Sequence, residues 1–312
     1  MNPPIGVIDI GSNTIKLLVA RLGKSGAMET VLRETRATRI SRGISGDRLV
    51  FPPETLARAA ADTAELAGIA RQAGAGTIRI VATSAARDAE NGPDLASAIE
   101  AAAGAPVEII SGHREAALIA RAVRCDPALE GFPAFYAFDL GGGSLECLSF
   151  RGRNLEQALS LPLGAVRLTE KLVKDSANPF TPEDRSAVEA ETIRTFRESG
   201  FQFVLPAESA AVATGGTMTT ALAILAAEEG MALEKMRPWL AKEALENLLT
   251  RIGSLPLPER LKTPGLPGER ADVFPVALAT FLTVAELVGK PGFHHSLQNL
   301  RHGLAAEMLL DG

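Results

Sequence analysis

The same short pattern occurs twice in this chain: an apolar strand, an aspartate near its end, a turn of glycine and small polar residues, and a second apolar strand. The first copy runs over residues 5–21 and carries Asp9, and the second runs over residues 135–150 and carries Asp139 and Glu146. Each copy predicts a β-hairpin. Because an internal repeat fixes architecture, the pair predicts two duplicated lobes with a ligand held between them.

The turn of the second copy has the composition of a phosphate site. Its three glycines, Gly141 to Gly143, permit positive φ and leave no Cβ in the way, so successive N–H groups can close around phosphate oxygens. Asp139 and Glu146 supply hard oxygen ligands suited to Mg²⁺ beside that phosphate. For either copy taken alone, a plain hairpin with a flexible turn is the alternative. No Walker lysine follows either turn, and both turns lead into strands rather than helices.

Composition limits the class of protein and its partners. The chain of 312 residues is long enough for roughly two domains, and its 46% hydrophobic and 22% charged content is that of an ordinary globular protein. The formal net charge of −5 argues against broad nucleic-acid binding, which needs a basic face. No secretory signal is visible, the apolar run 273–289 is short for a membrane span, and the two cysteines form no CxxC pair. A reduced, cytoplasmic protein outside the membrane is therefore expected.

The remaining pattern predicts a similar order of elements in the two halves. After the first hairpin we expect a strand near 30–33, a helix over 53–73, a strand over 77–83, a helix over 93–103, a strand over 107–110 and a helix over 113–123. This βββαβαβα order begins again at Phe135. The segment 125–133 is rich in proline, glycine and charge, so domains are predicted over residues 1–124 and 125–312. In the second half, strands are predicted at 159–164, 210–214 and 293–298, with helices at 165–173, from 181, after 217, from about 241 and 272, and over 301–310.

Seven short motifs occur in the order found in one known family. They are Asp9-Ile10-Gly11-Ser12-Asn13-Thr14, Ala82-Thr83-Ser84-Ala85-Ala86-Arg87, Ile109-Ile110-Ser111-Gly112-His113-Arg114-Glu115-Ala116, Asp139-Leu140-Gly141-Gly142-Gly143-Ser144, Ser160-Leu161-Pro162-Leu163-Gly164-Ala165-Val166-Arg167-Leu168, Gly215-Gly216-Thr217 and Leu300-Arg301-His302-Gly303-Leu304. Through these motifs the chain resembles, along nearly its full length, the exopolyphosphatase/guanosine pentaphosphate phosphohydrolase (Ppx/GppA) family in its short two-domain form. The resemblance implies an α/β, two-lobed actin-like ATPase (ribonuclease H-like) fold with duplicated βββαβαβα domains and a cleft between them.

The resemblance also implies an activity. Members of this family hydrolyse a phosphoanhydride, releasing terminal phosphate from inorganic polyphosphate or converting guanosine pentaphosphate to tetraphosphate. The implied cofactor is Mg²⁺, with Mn²⁺ as an alternative, held by Asp139 and Glu146, and Asp9 is a further metal or water ligand. Short chains or a nucleotide are expected rather than long polyphosphate, because the sequence has no extended basic tract. A homodimer is left open.

Two residues of the first half are candidates for catalysis. Glu115 lies in the first turn of a predicted helix, where it could orient and deprotonate a water; alternatively, an acid simply favours the positive end of a helix. The resemblance implies the catalytic role, since Glu115 matches the family's catalytic glutamate. Arg87 could bind a phosphate through its planar fork, or it could form a surface salt bridge with Asp88 or Glu90.

The anion site is predicted to be lined by both glycine-rich turns and by a third loop. Its predicted members are Ser12, Asn13, Thr14, Gly142, Gly143 and Ser144, with Gly215, Gly216 and Thr217 as the wall in the second lobe. Two residues depart from the family pattern: Leu145 replaces the usual Thr, which predicts a missing hydroxyl near the phosphate, and His302 replaces the usual Glu. Arg114 stands where the family often has a second acid. The four histidines have no metal-binding spacing, and Cys147 is expected in the core rather than as a nucleophile.

Two other functions use the same elements. A sensor that binds guanosine tetraphosphate without hydrolysis is motivated by Leu145 and His302. An actin-fold kinase would share both phosphate hairpins. The position of Glu115 speaks against a kinase, because kinases usually take their base from elsewhere in the cleft.

Overall fold

The structure is a computed structural model and describes residues 3–24, 26–41 and 49–311. The chain divides into two compact units, one of residues 1–125 and 298–312 and the other of residues 126–297. We call them the first unit and the second unit.

The first unit is built on a mixed sheet that begins with an antiparallel meander. Strands β1, β2 and β3 pair antiparallel, and β4 and then β5 join β1 in parallel, so the order is β3-β2-β1-β4-β5. The central strand β1 is almost entirely apolar, and Ile8 and Ile10 are fully buried in the core under the helices. The strands are β1 (Ile5–Ile10), β2 (Ile15–Leu22), β3 (Met28–Arg36), β4 (Thr77–Ala82) and β5 (Val107–Ile109), and the helices are α1 (Pro53–Gln72), α2 (Ser84–Asp88), α3 (Gly92–Ala103) and α4 (Gly112–Arg124).

The second unit repeats this arrangement with additions. Its meander β6-β7-β8 is antiparallel, β9 joins β6 in parallel, and β11 and β10 extend the sheet to the order β10-β11-β9-β6-β7-β8. The strands are β6 (Ala134–Leu140), β7 (Leu145–Arg151), β8 (Asn154–Leu161), β9 (Ala210–Thr214), β10 (Trp239–Ala241) and β11 (Gly292–His295), and the helices are α5 (Ala165–Leu172), α6 (Pro182–Ser199), α7 (Gly216–Glu228), α8 (Lys242–Gly253), α9 (Leu257–Arg260) and α10 (Phe274–Val288).

Helix α10 explains the apolar run noted in the sequence. Nearly all of its residues are buried, from Phe274 to Ala285, so the run is the central helix of the second unit's core. No helix of the described residues has the length and hydropathy needed to cross a bilayer. Helix α6 begins as predicted, because Thr181 Oγ1 accepts from the Asp184 amide and the Asp184 carboxylate accepts from the Thr181 amide.

The last helix, α11 (Leu300–Leu310), corrects the predicted domain of residues 125–312. It belongs to the first unit, where it packs on α4. Gly303 allows this contact, because a Cβ there would overlap the backbone of Leu118. Arg114 Nη2 also binds Glu307 Oε1 at 2.6 Å across the two helices. Sequence position placed α11 with its neighbours in the chain, whereas these contacts place it with α4.

Candidate functional site

The glycine turn of the second unit, Gly141–Ser144, is held by its carbonyl groups. The Gly141 amide closes the turn by donating to Ser144 O at 2.9 Å. Amides of the first turn of α5 donate to the carbonyls of Gly141 and Gly142, and Arg167 Nε donates to Gly143 O at 2.8 Å. In contrast, the hydrogen bonds found in the described residues include none from the amides of Gly142, Gly143 or Ser144. The turn therefore has fixed carbonyls and amides available to an anion.

Gly164 makes this anchoring possible, and its replacement has a predictable cost. A Cβ at Gly164 would overlap the backbone of Gly142 and Gly143, although its φ of −62° is open to any residue. Because the added methyl group would overlap this backbone, Gly164→Ala is expected to lower the free energy of unfolding by about 1–3 kcal/mol. Denaturant unfolding measures this change. Gly131→Ala is the matched control, since nothing lies within 4 Å of a Cβ there, and equal stability of the two variants would contradict the packing described.

Asp139 and Glu146 face each other across the same hairpin. They are direct partners in the antiparallel pairing of β6 and β7, so their side chains lie on one face of the sheet, with Cβ atoms about 5 Å apart. Glu146 is only 2% exposed, and its Oε1 accepts a hydrogen bond from Ser160 Oγ at 2.7 Å. Ser160 is the partner of Glu146 on β8 and orients this carboxylate, a role that the sequence motif did not indicate.

The third predicted loop lies against Asp139. Thr214 pairs with Asp139 between β9 and β6, and Gly215 follows with a φ of +89°. A Cβ at Gly215 would overlap Asp139 Oδ1, so glycine is required both for the backbone conformation and for this close approach. Gly216 then begins α7, a helix whose free amides favour anions.

Arg270 adds a cation that the sequence did not reveal as a site residue. A Cβ at Gly216 would overlap its guanidinium group, which therefore lies against the start of α7. Burial lowers the pKa of Arg270, and the charges of Glu269 and Asp139 act in the opposite direction. Arg270 follows the proline-rich stretch 255–268, and no sequence spacing joins it to Asp139.

This donor set fits a magnesium ion. Among the described residues, no group of three or more histidine, cysteine or carboxylate side chains comes together. Mg²⁺ does not require one, since it usually binds one or two carboxylates and keeps waters and substrate phosphates as its other ligands. The facing Asp139 and Glu146 carboxylates beside an amide-lined turn provide that arrangement.

The turn of the first unit is anchored in a similar way. Gly11 donates to Thr14 O at 3.1 Å, and the segment after β3 donates to the carbonyls of Ser12 and Asn13 through the amides of Ser41 and Arg39. The side chains of Ser12, Asn13 and Thr14 are buried. Ser12 Oγ also lies 3.3 Å from Ser84 Oγ at the start of α2. The structure thus gathers the predicted residues 12–14 at one rigid turn.

Asp9 has a different neighbour from Asp139. The residue opposite Asp9 on β2 is Lys16, whereas the residue opposite Asp139 is Glu146. Burial raises the pKa of Asp9, and Lys16 and Arg301 act in the opposite direction. Because cations surround Asp9, the carboxylate pair that suits a metal is the one in the second unit, and a metal or water role for Asp9 stays a prediction.

Glu115 and Arg87 meet in the first unit. Glu115 lies in the first turn of α4 and is 6% exposed, and its Oε2 accepts from Arg87 Nη1 at 3.2 Å. Arg87 Nη1 also donates to Ile110 O at 2.9 Å, which fixes the guanidinium between α2 and α4. Its contact with Asp88 is longer, at 3.9 Å. The ion pair with Glu115 is thus the main charged contact of Arg87 in the described residues, and it holds the carboxylate in one orientation.

The departures from the family pattern lie in packing positions. Leu145 is fully buried in the second unit's core, on the opposite face of β7 from Glu146, so it removes no hydroxyl from the carboxylate side. The effect of the missing hydroxyl on phosphate binding stays a prediction. His302 forms a capping box with Asn299 at the start of α11, and its Nε2 lies 3.3 Å from Arg33 Nη2. Burial and the nearby Arg301 and Arg33 lower the pKa of His302 to about 3, so the ring is neutral.

The two cysteines should differ sharply in reactivity. Cys147 is fully buried in the core, and burial raises the pKa of its thiol well above the usual range, while Cys125 is exposed. Since the thiolate is the reactive form, we expect a thiol-specific disulfide reagent to modify one thiol per native chain and two after unfolding. The Cys125→Ala variant should show none in the native state. Rapid native labelling of that variant would contradict the burial of Cys147.

Comparison with known proteins is consistent with these features. The model of the Ppx/GppA phosphatase family matches residues 18–311. Exopolyphosphatase 1 of Mycobacterium tuberculosis is 31% identical over 288 residues, which are 86% of this chain and 77% of the relative. The crystal structure of an exopolyphosphatase from Cytophaga hutchinsonii has a TM-score of 0.87 at 26% identity, covering 98% of this chain and 97% of that one. A Ppx/GppA family member from Aquifex aeolicus gives a TM-score of 0.78 at 25% identity, covering 99% and 98%.

The fold and these matches define a class of protein, an α/β protein with the actin-like ATPase fold, as the sequence predicted. Within that class the chain belongs to the Ppx/GppA phosphatase family.

Proposed function

We propose that this chain hydrolyses the terminal phosphoanhydride bond of inorganic polyphosphate. The observation that carries the proposal is the glycine turn Gly141–Ser144, whose carbonyls are all held and whose amides lie next to the facing carboxylates of Asp139 and Glu146. Such a turn binds phosphate oxygens, and the carboxylates suit the magnesium that accompanies them. The names of the relatives from Mycobacterium tuberculosis and Cytophaga hutchinsonii support the same substrate.

The proposed reaction needs an oriented water and compensation of phosphate charge. Glu115, held by Arg87, orients the water and accepts its proton as the new O–P bond forms. The bridging P–O bond breaks at the same time, and the shortened chain leaves as an anion. When bound at Asp139 and Glu146, Mg²⁺ would neutralise charge on the phosphate oxygens. The amides of the glycine turn and the start of α7 bind those oxygens, and the Arg270 guanidinium adds positive charge beside Gly216.

Short polyphosphate is the substrate that we propose first, and guanosine pentaphosphate is the second candidate. The net charge of −5 and the lack of an extended basic tract disfavour tight binding of long polyanions. The proposed contacts are to phosphate groups and to the metal that accompanies them. Both substrates carry such phosphate groups, so these contacts suit either one. The two departures that motivated a non-hydrolysing sensor are both buried. Leu145 lies in the core of the second unit, and His302 caps the start of α11 with Asn299.

The test is release of phosphate from defined substrates by the purified protein. Tripolyphosphate, longer polyphosphate and guanosine pentaphosphate are compared with Mg²⁺, with Mn²⁺ and with a chelator. We expect turnover of tripolyphosphate that requires the metal. Tight calorimetric binding of guanosine tetraphosphate without any phosphate release would favour the sensor, and ATP use that depends on an added hydroxyl compound would favour the kinase. Either result would overturn the proposal.

A further inference from the structure

A buried histidine contacts the loop that lies against Asp139. His295 ends β11, the parallel neighbour of β9, and is 8% exposed. Its Nδ1 lies 3.1 Å from Ala213 O, and its Nε2 lies 3.1 Å from Thr219 Oγ1 in the first turn of α7. The ring therefore joins the strand before the Gly215–Gly216 loop to the helix that follows it. No role for this residue was predicted from the sequence, since it belongs to no metal-binding spacing.

The partners of the ring assign its proton. A carbonyl oxygen can only accept, so Nδ1 carries the hydrogen and donates to Ala213 O. Burial lowers the pKa of His295, with the Ala213 hydrogen bond and the charge of Asp126 acting in the opposite direction. In the neutral ring Nε2 has no hydrogen and can only accept. The Thr219 hydroxyl has one hydrogen and lies within reach of two acceptors, His295 Nε2 and Gly215 O, so it stands between the ring and the loop.

Thr219 carries this contact to the loop itself. Its Oγ1 lies 3.0 Å from Gly215 O, and its amide donates to the same carbonyl at 3.4 Å. Gly215 is the residue with φ +89° whose missing Cβ leaves room for Asp139 Oδ1. A shift of Thr219 would therefore move Gly215 against the carboxylate.

The same strand anchors the loop from its other side. The Ser296 amide donates to Ala213 O at 3.0 Å, and Ser296 Oγ donates to Asp126 Oδ2 at 2.5 Å. Ala213 O thus accepts two hydrogen bonds from the end of β11. This bracing fixes the end of β9, and the Nε2–Thr219 contact joins the ring to α7.

We propose that His295 is a positioning residue that sets the Gly215–Gly216 loop against Asp139 through the Thr219 hydroxyl. The inference rests on the proposed function, because it assumes that this loop binds substrate phosphate. In this role His295 affects the binding of phosphate and not the attacking water. Loss of the contact should therefore raise KM and leave kcat nearly unchanged.

The test is a set of four variants assayed with tripolyphosphate, with phosphate release for kcat and KM and calorimetry for tripolyphosphate binding. Thr219→Val removes the hydroxyl and keeps the shape, and Thr219→Ser retains the hydroxyl. His295→Asn retains a donor near Ala213 O but does not reach Thr219. The fourth is the double variant Thr219→Val/His295→Asn. Thermal unfolding of each variant checks folding.

Thr219→Val and His295→Asn are each expected to raise KM and the calorimetric Kd about three- to tenfold, the effect of one hydrogen bond. The KM and Kd of Thr219→Ser should stay within about twofold of the natural values. The double variant should have the KM and Kd of whichever single variant binds tripolyphosphate more weakly. Unchanged KM in Thr219→Val, or independent effects that multiply in the double variant, would overturn the inference. Absence of turnover in the natural protein would instead count against the proposed function, and the calorimetric comparison would still test His295.

Discussion

Glu115→Gln is expected to lower kcat for tripolyphosphate by about two to four orders of magnitude, the range for removal of a general base. Gln keeps an oxygen that can accept from Arg87 Nη1, so the contact between α2 and α4 is retained and the fold should not change. KM should change little, because Glu115 acts on water and not on the phosphate chain. Phosphate release under saturating substrate, with circular dichroism and thermal unfolding of both proteins, measures the effect.

Glu54→Gln is the matched control for this substitution. Glu54 is an exposed acid in the first turn of α1, where it has the same favourable position at a helix N-terminus. If Glu115 only stabilises its helix, the two variants should behave alike, with near-natural turnover in both. A kcat of Glu115→Gln within a fewfold of the Glu54→Gln value would remove Glu115 from the mechanism.

Glu146→Gln is expected to give the second large effect, on metal dependence. Gln keeps the shape and an oxygen near Ser160 Oγ, but it removes a negative charge from the pair with Asp139. The Mg²⁺ concentration for half-maximal activity should rise about tenfold or more, and activity at low Mg²⁺ should be lost, because carboxylate oxygens are the preferred ligands of this ion. Calorimetric Mg²⁺ titration in the presence of inorganic phosphate gives a readout independent of turnover.

Glu156→Gln serves as the control on the same sheet. Glu156 lies on β8 and binds Arg151 Nε at 2.7 Å, away from the pair of carboxylates, so its Mg²⁺ dependence should be natural. If the Glu146 and Glu156 variants have the same Mg²⁺ requirement, the metal does not bind at the pair that we propose.

Much of the fold followed from local pattern. The two hairpins, the meanders and the alternation of buried strands with helices come from apolar periodicity and glycine turns, which act over short distances. Strand β10 was not predicted, since Trp239–Ala241 is too short to show a period. The proline-rich composition of residues 255–268 predicts a surface loop. However, Arg260 within this stretch is 1% exposed and donates to several backbone carbonyls.

The site residues likewise fall into two groups, those set by local pattern and those set by tertiary packing. Residues that lie on one hairpin, such as Asp139 and Glu146, could be paired from the sequence because the register of a short turn brings them together. Arg270 and His295 could not be found, because each reaches the site from a distant part of the chain through tertiary packing. Ser160 lies on the next strand of the same meander, but its motif did not indicate the hydrogen bond to Glu146. The burial of Leu145 on the core face of β7 likewise became visible only in the folded sheet.

Hydrolysis of tripolyphosphate in ¹⁸O-labelled water, followed by ³¹P NMR with Mg²⁺ present, tests the central claim most directly. The claim is that a terminal phosphate bound at the glycine turn of the second unit is attacked by water. Equal amounts of orthophosphate and pyrophosphate are expected, with the label in the orthophosphate. Label in the pyrophosphate, or no orthophosphate from a folded protein, would contradict it.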